Sequence, residues 1–121
     1  MTGIYIHDSA KAPYTELILA GVKLYETRNR DTLRKVVGER VAIVRTGRGK
    51  AQVVGFVTVG EPLVVEDRSS WDAMRDVTKV PAGDAYDFKG CKYLYLMIDP
   101  EPVAEPLTVV YTGNRVLCEV R

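Results

Sequence analysis

Two cysteines and a single histidine are all that 121 residues supply of the common soft-metal and redox ligands. Cys91 and Cys118 lack metal-ligand spacing and sit in apolar, strand-like runs, so they are read as buried free thiols. One histidine, His7, does not make a metal centre, and no Ser-His-Asp order stands out. No apolar run approaches the roughly 18 residues that a membrane span needs. No basic-then-apolar segment opens the chain, so no export signal is read. Gly49-Lys50 lacks the Gly-x-x-x-x-Gly-Lys-[Ser/Thr] spacing of a phosphate loop. These absences lead to the expectation of a soluble, cytoplasmic protein that needs neither metal nor cofactor.

What is present is an ordinary globular balance, 46% hydrophobic and 27% charged, in a chain long enough for one domain spanning 1–121. The net charge of +1 hides an asymmetry. Residues 23–50 carry nine cations against three anions, a net +6, and residues 61–105 carry five against ten, a net −5. If the two segments occupy different sides, the surface is dipolar and its positive side suits a phosphate backbone or an anionic small molecule. If they interleave, the charges cancel.

Hydrophobic patterning predicts many short strands. Gly3–His7 alternates as a first strand. Pro13 suits the first turn of a short helix that buries Tyr14, Leu17 and Ile18 and ends at Ala20-Gly21 with a glycine C-cap. Leu24–Arg28, Val41–Val44, Gln52–Val59 and Tyr93–Ile98 read as strands, the last broken by Asp99-Pro100-Glu101-Pro102. Ser69 or Ser70 caps a second short helix with Trp71, Met74 and Val77 on its inner face. Leu107–Tyr111 and Val116–Val120 form a closing hairpin. About six to seven strands, two short helices and no strand–helix alternation predict a mainly β, α+β chain: a closed or partly closed barrel without a parallel sheet.

Within this framework LAGVKLYETRNR contains Gly21, Lys23, Glu26 and Arg28 as Gly-x-Lys-x-x-Glu-x-Arg. On a strand, Leu24, Glu26 and Arg28 point one way and Tyr25 and Thr27 the other. Glu26 and Arg28 then lie roughly 7 Å apart, within pairing reach. Lys23 falls in the turn, free to lie over either face. On spacing alone the run reads first as a solvated strand face, where such a pair contributes about 0–1 kcal/mol, and it sharpens only with its flanks.

The order of features resembles the ASCH domain, a relative of the PUA RNA-binding domain. The matching residues are His7, then Pro13 and Tyr14, then Gly21, Lys23, Glu26 and Arg28, then Gly38, Glu39 and Arg40, all within residues 4–60. The resemblance implies a PUA-like β-barrel with the motif residues lining a cleft beside the first helix. It also implies RNA or modified-base binding. Some similar small members are amidohydrolases acting on acetylated cytidine, and some are reported as nucleases. Those hydrolases pair a lysine with a hydroxyl residue and a glutamate from the second helix region. Here Glu26 occupies the hydroxyl position, and the second helix offers Asp72 and Asp76.

The expected ligand is therefore RNA or a nucleotide-like molecule, held by Lys23, Glu26, Arg28 and Tyr14, with Arg30, Arg34, Arg45, Arg48 and Lys50 as a basic rim. If the chain is an enzyme, Lys23 and Glu26 are the catalytic candidates. A partly desolvated lysine serves as base or nucleophile, and a neighbouring carboxylate shuttles protons. Tyr14 and Tyr25 are candidates for base stacking, although aromatics at such positions also fit a core. Trp71 reads as a helix anchor.

Overall fold

The computed structural model describes residues 1–109 and 117–120. Six strands form one sheet: β1 (Thr2–His7), β2 (Tyr25–Arg28), β3 (Arg40–Thr46), β4 (Gln52–Val65), β5 (Lys92–Thr108) and β6 (Leu117–Glu119). Their order across the sheet is β2-β5-β4-β3-β1-β6. Three short helices flank it: α1 (Tyr14–Leu19), α2 (Arg68–Ala73) and α3 (Arg75–Thr78), with a 3-10 turn at Arg34–Val36. No helix among the described residues is long and apolar enough to cross a membrane.

The core forms where the sheet's inner face meets the helices. Ile4 and Ile6 of β1, Val41 and Ile43 of β3, Val57 and Val59 of β4, Leu94 of β5, Ile18 of α1 and Trp71 of α2 pack into one buried cluster. Tyr5, Ala42, Val44, Val53 and Cys118 make a smaller cluster. In β1 and β3 consecutive residues are apolar because both faces are covered, so strict alternation is lost. α1 stops where expected: Gly21, at φ +75°, turns the chain out, and its N–H donates to the Ile18 carbonyl at 3.0 Å.

Several expectations are corrected. The sheet is not a closed barrel among the described residues. β6 pairs with only Thr2, Gly3 and Ile4 of β1, so the β1 edge from Tyr5 onward has no described strand beside it. β2, at the other end of the sheet, pairs with β5 alone among the described strands. One parallel pair does occur, β1 with β3, because the chain crosses over through α1, β2 and the 3-10 turn before returning beside β1. The Asp99–Pro102 segment does not end β5. Phe56 faces Glu101 and Thr58 faces Ile98, so an extra residue on β5 bulges out, with Asp99 at φ 49°. The closing hairpin is not formed as a β5–β6 ladder, since β6 lies beside β1 and β5 between β2 and β4. The expected turn and flanks at residues 110–116 lie outside the described residues.

The second helix is two short ones, and its cap is Asp67 rather than Ser69 or Ser70. An Asp67 carboxylate oxygen accepts the Ser70 N–H at 2.8 Å, the spacing an N-cap requires. Trp71 is fully buried. Cys118 is buried and Cys91 half-buried, and both are free thiols. The segregated charges partly interleave: Arg34 pairs with Glu61 at 2.9 Å and Arg40 with Glu101 at 3.0 Å, tying the basic segment to the acidic one.

The seat of α1 depends on Gly55. A Cβ there would lie 2.3 Å from Leu19 Cδ2 and 2.6 Å from the Glu101 carbonyl oxygen, which is backbone. Gly55→Ala is therefore expected to cost about 1–3 kcal/mol through overpacking. At roughly 4–8 °C per kcal/mol for a domain of this size, the melting temperature should fall by several degrees or more. A circular-dichroism melt indistinguishable from wild type would refute this packing.

Candidate functional site

β1 and β2 do not meet through their backbones. The gap between β1 and β2 holds a cavity of about 300 Å³. β1 supplies Tyr5, Ile6 and His7 to its lining, and β2 with its flanks supplies Lys23, Glu26, Thr27, Arg28 and Asn29. Tyr14 comes from α1, Thr46 from the end of β3, Val80 and Tyr86 from the loop after α3, and Lys92 from the start of β5.

Arg28 bridges the gap. Its Nη2 donates to the Tyr5 carbonyl at 2.6 Å and lies 3.1 Å from Glu26 Oε2. The expected Glu26–Arg28 pair is thus present, and both side chains are largely shielded from water. Arg28 Nε is buried without a hydrogen-bond partner. Glu26 Oε1 also accepts the Thr27 N–H at 3.2 Å. Thr27 was expected on the face opposite Glu26, yet both line the cavity, because the cavity opens at the edge of β2 and reaches both rows of side chains.

Lys23 is not a free turn lysine; it is 1% exposed. Its Nζ donates to the Thr78 carbonyl at 2.5 Å and lies 4.9 Å from the centre of the Tyr14 ring. The Lys23 backbone N–H bonds back to Leu17 O at 2.9 Å, which folds the turn under α1 and directs the side chain inward. Burial lowers the Lys23 pKa to about 8, with the Glu26 carboxylate opposing that fall.

Lys92 is equally buried, at 1% exposure, and burial again lowers its pKa to about 8 against the pull of Glu26. Its Nζ stands 5.6 Å from the centre of the Trp71 ring. The sequence reading missed this residue. A signal was available: Lys92 has the same strand parity as the fully buried Leu94, so alternation alone points it inward.

The loop carrying Tyr86 is pinned by two carboxylates. Asp84 accepts from Ser9 Oγ at 2.7 Å, Tyr14 Oη at 2.8 Å and the Tyr86 N–H at 3.0 Å. Asp87 accepts from Trp71 Nε1 at 2.8 Å, Arg75 Nη2 at 3.1 Å, and the backbone N–H groups of Gly83 and Phe88. Burial would raise both acids, but these donors outweigh it and hold both carboxyls below the usual range. Burial, reinforced by Asp84, holds the Tyr14 hydroxyl well above its ordinary value. Tyr86 therefore stands as a fixed aromatic wall, edge-on to Tyr14 and His7 with centroids 6.0 and 6.4 Å away.

Of the residues singled out from sequence, Lys23, Glu26, Arg28 and Tyr14 meet in this cavity. Arg30, Arg48 and Lys50 are exposed and outside its lining. Arg48 turns toward the helix side, 3.2 Å from Asp8 and 3.8 Å from Glu16. Arg34 and Arg45 are taken up by Asp31, Glu61 and Gln52. Tyr25 packs on the core, not in the cavity. His7, whose ring lies 3.1 Å from Thr46 Oγ1, lines the mouth. No group of His, Cys, Asp and Glu among the described residues is placed to hold a metal ion.

Two lysines with folded pKa values near 8 give this chain an unusual alkaline profile. Because the unfolded amines keep their protons to about pH 10.4, the unfolded chain binds more protons between pH 8 and 10, and folding stability rises there. Above about pH 10 the buried Tyr14 and Tyr95 hydroxyls reverse the slope, since they stay protonated only in the folded chain. Urea denaturation should show a gain of order 1–3 kcal/mol between pH 7.5 and 9.5. Lys23→Met should flatten part of it. A wild-type profile without that rise would mean that both amines are hydrated.

No family model matches the chain, and no curated protein does. Solved structures do. The crystal structure of ASCH from Zymomonas mobilis superposes at a TM-score of 0.70 and 16% identity, covering 98% of this chain and 87% of that one. A serine-to-alanine and a tyrosine-to-phenylalanine variant of the same Zymomonas mobilis protein superpose at 0.73 and 18%, covering 98% of this chain and 88% and 90% of theirs. An open six-stranded sheet with short helices, matched along nearly its whole length, gives this chain the PUA-like α+β fold of ASCH domains.

Proposed function

We propose that the cleft between β1 and β2 binds a nucleotide-like ligand, RNA or a modified nucleoside. The observation that carries this reading is the convergence of the buried Lys23 and Glu26 and the half-buried Arg28 on one cavity of about 300 Å³. That volume lies at the small end of ligand pockets and suits one nucleotide. Tyr86 offers a fixed ring for a base to stack on, a contact worth roughly 1–3 kcal/mol. Each Glu26 oxygen has a second lone pair left after Arg28 and the Thr27 N–H are served, so it can accept from the exocyclic amine of a cytosine-like edge. Exposed Arg30 and Lys50, with Arg48, would follow the phosphates of a longer strand outside the cavity.

Two measurements test this. In thermal-shift and fluorescence-polarisation assays, modified ribonucleosides and short single-stranded RNAs should bind wild type, and Glu26→Gln should weaken binding by about tenfold. RNA affinity should fall steeply with salt, with a shallower slope in Arg30→Glu/Lys50→Glu. Binding untouched by salt and by both sets of substitutions would sink the reading.

The depressed Lys23 amine favours a second reading, a small amide hydrolase using the same cleft. With a pKa of about 8, roughly a tenth of Lys23 is the free base at pH 7 and half at pH 8. Turnover of an acylated cytidine should then rise toward pH 8 and level off above it. Lys23→Met should abolish turnover yet leave ligand binding measurable. No hydrolysis at any pH would remove this reading and leave the binding one intact.

A further inference from the structure

The charges around the cavity do not balance, and the imbalance specifies the ligand further. Three cationic side chains, Lys23, Arg28 and Lys92, line it against one carboxylate, Glu26, a net of +2. The two other acids nearby, Asp84 and Asp87, are not in the lining, and their oxygens are engaged by the donors described above. Lys89 adds a further cation near Lys92. Glu26 is committed to Arg28 at 3.1 Å, and Lys23 has a backbone carbonyl as its bonded partner. Among the described residues Lys92 has no hydrogen-bond or ion-pair partner; its contact is the Trp71 ring. Burying an ammonium with so little compensation is costly unless something occupies the cavity.

The geometry points to a phosphate monoester as the ligand group: the terminal phosphate of a mononucleotide or of an RNA end, received between Lys92, Lys23 and Arg28. This rests on the cleft being the ligand site proposed above, and it narrows the class. A phosphodiester inside a strand carries one negative charge and must enter and leave the cavity as chain. A monoester carries close to two negative charges at neutral pH and ends there. Its oxygens can accept from Lys92 Nζ, which has no hydrogen-bond or ion-pair partner among the described residues, while Arg28 and Lys23 supply positive charge at the same wall. Lys92 Nζ is held over the Trp71 ring on one side, and Lys23 is tied to Thr78 on the other. The cations are therefore fixed before the ligand arrives, which limits the ordering cost of binding.

The test compares the four ribonucleosides with their 5′- and 3′-monophosphates by isothermal titration calorimetry. A short RNA with and without a terminal phosphate is compared in the same way. The expected result is that monophosphates bind at least tenfold tighter than nucleosides, and the phosphorylated RNA end at least tenfold tighter than the bare one. In Lys92→Met the gain should be lost, with monophosphates and nucleosides binding that variant within about twofold of each other. Should Lys92→Met fail to fold, the wild-type nucleoside-to-monophosphate ratio decides the matter without it. Equal affinities for nucleosides and monophosphates would overturn the monoester assignment and leave the cleft as a base-binding site. A full phosphate gain retained in a folded Lys92→Met protein would place the phosphate elsewhere and overturn it too. No binding of nucleosides, monophosphates or RNA would bring down the cleft reading together with it.

Discussion

The bond from Arg28 Nη2 to the Tyr5 carbonyl, 2.6 Å long, is the contact on which the rest of the site depends. It stands where a backbone ladder would otherwise close the sheet. Among the described residues β6 pairs with Thr2, Gly3 and Ile4 of β1, and beyond them β1 and β2 face one another across a gap. A partly buried backbone carbonyl needs a hydrogen-bond donor. A guanidinium satisfies it at a longer reach than a peptide group and keeps β1 and β2 apart. The space so maintained is the cavity. Glu26, on the same strand, holds the guanidinium in place and is also, among the described residues, the one carboxylate in the lining to oppose the two buried lysines.

The walls are rigid for separate reasons. Lys23 is drawn in by the turn that ends α1, and the turn is fixed because Gly21 adopts φ +75°. Tyr86 is held by a loop whose two carboxylates collect donors from the loop after β1, from α1, α2 and α3, and from the Tyr86 loop itself. α1 itself is seated by the close approach of Leu19 to the Gly55 backbone. A site built on fixed elements with its cations pre-placed binds by charge and shape, without waiting for a conformational change. The same arrangement explains why the lysine amines are less basic than usual: they give up water for a carbonyl, an aromatic ring and one shared carboxylate.

Much of this was legible in the sequence. The Gly-x-Lys-x-x-Glu-x-Arg run with its Pro-Tyr and Gly-Glu-Arg flanks located Lys23, Glu26, Arg28 and Tyr14, and all four line the cavity. Local patterning recovered the strands and the exit of α1. It failed where long-range pairing overrides local signals. Asp99–Pro102 reads as a break, but β4 continues alongside and the extra residue is absorbed as a bulge. Leu107–Tyr111 and Val116–Val120 read as a hairpin, whose turn lies outside the described residues; Leu117–Glu119 pairs with β1, distant in sequence. The basic rim read as one patch, but Arg34 and Arg48 are partly neutralised by acids that folding brings to them.

By itself, then, the sequence determined the mainly β composition, the short helix before the motif, and the identity of the ionic residues on β2, because periodicity, turn chemistry and spacing are local properties of the chain. Only the tertiary structure decided that the sheet stays open, that Arg28 spans the opening, and that Lys92 joins Lys23 there. Each of these depends on which edges lie side by side and on how far water is excluded between them. Both are consequences of packing between residues far apart in the chain.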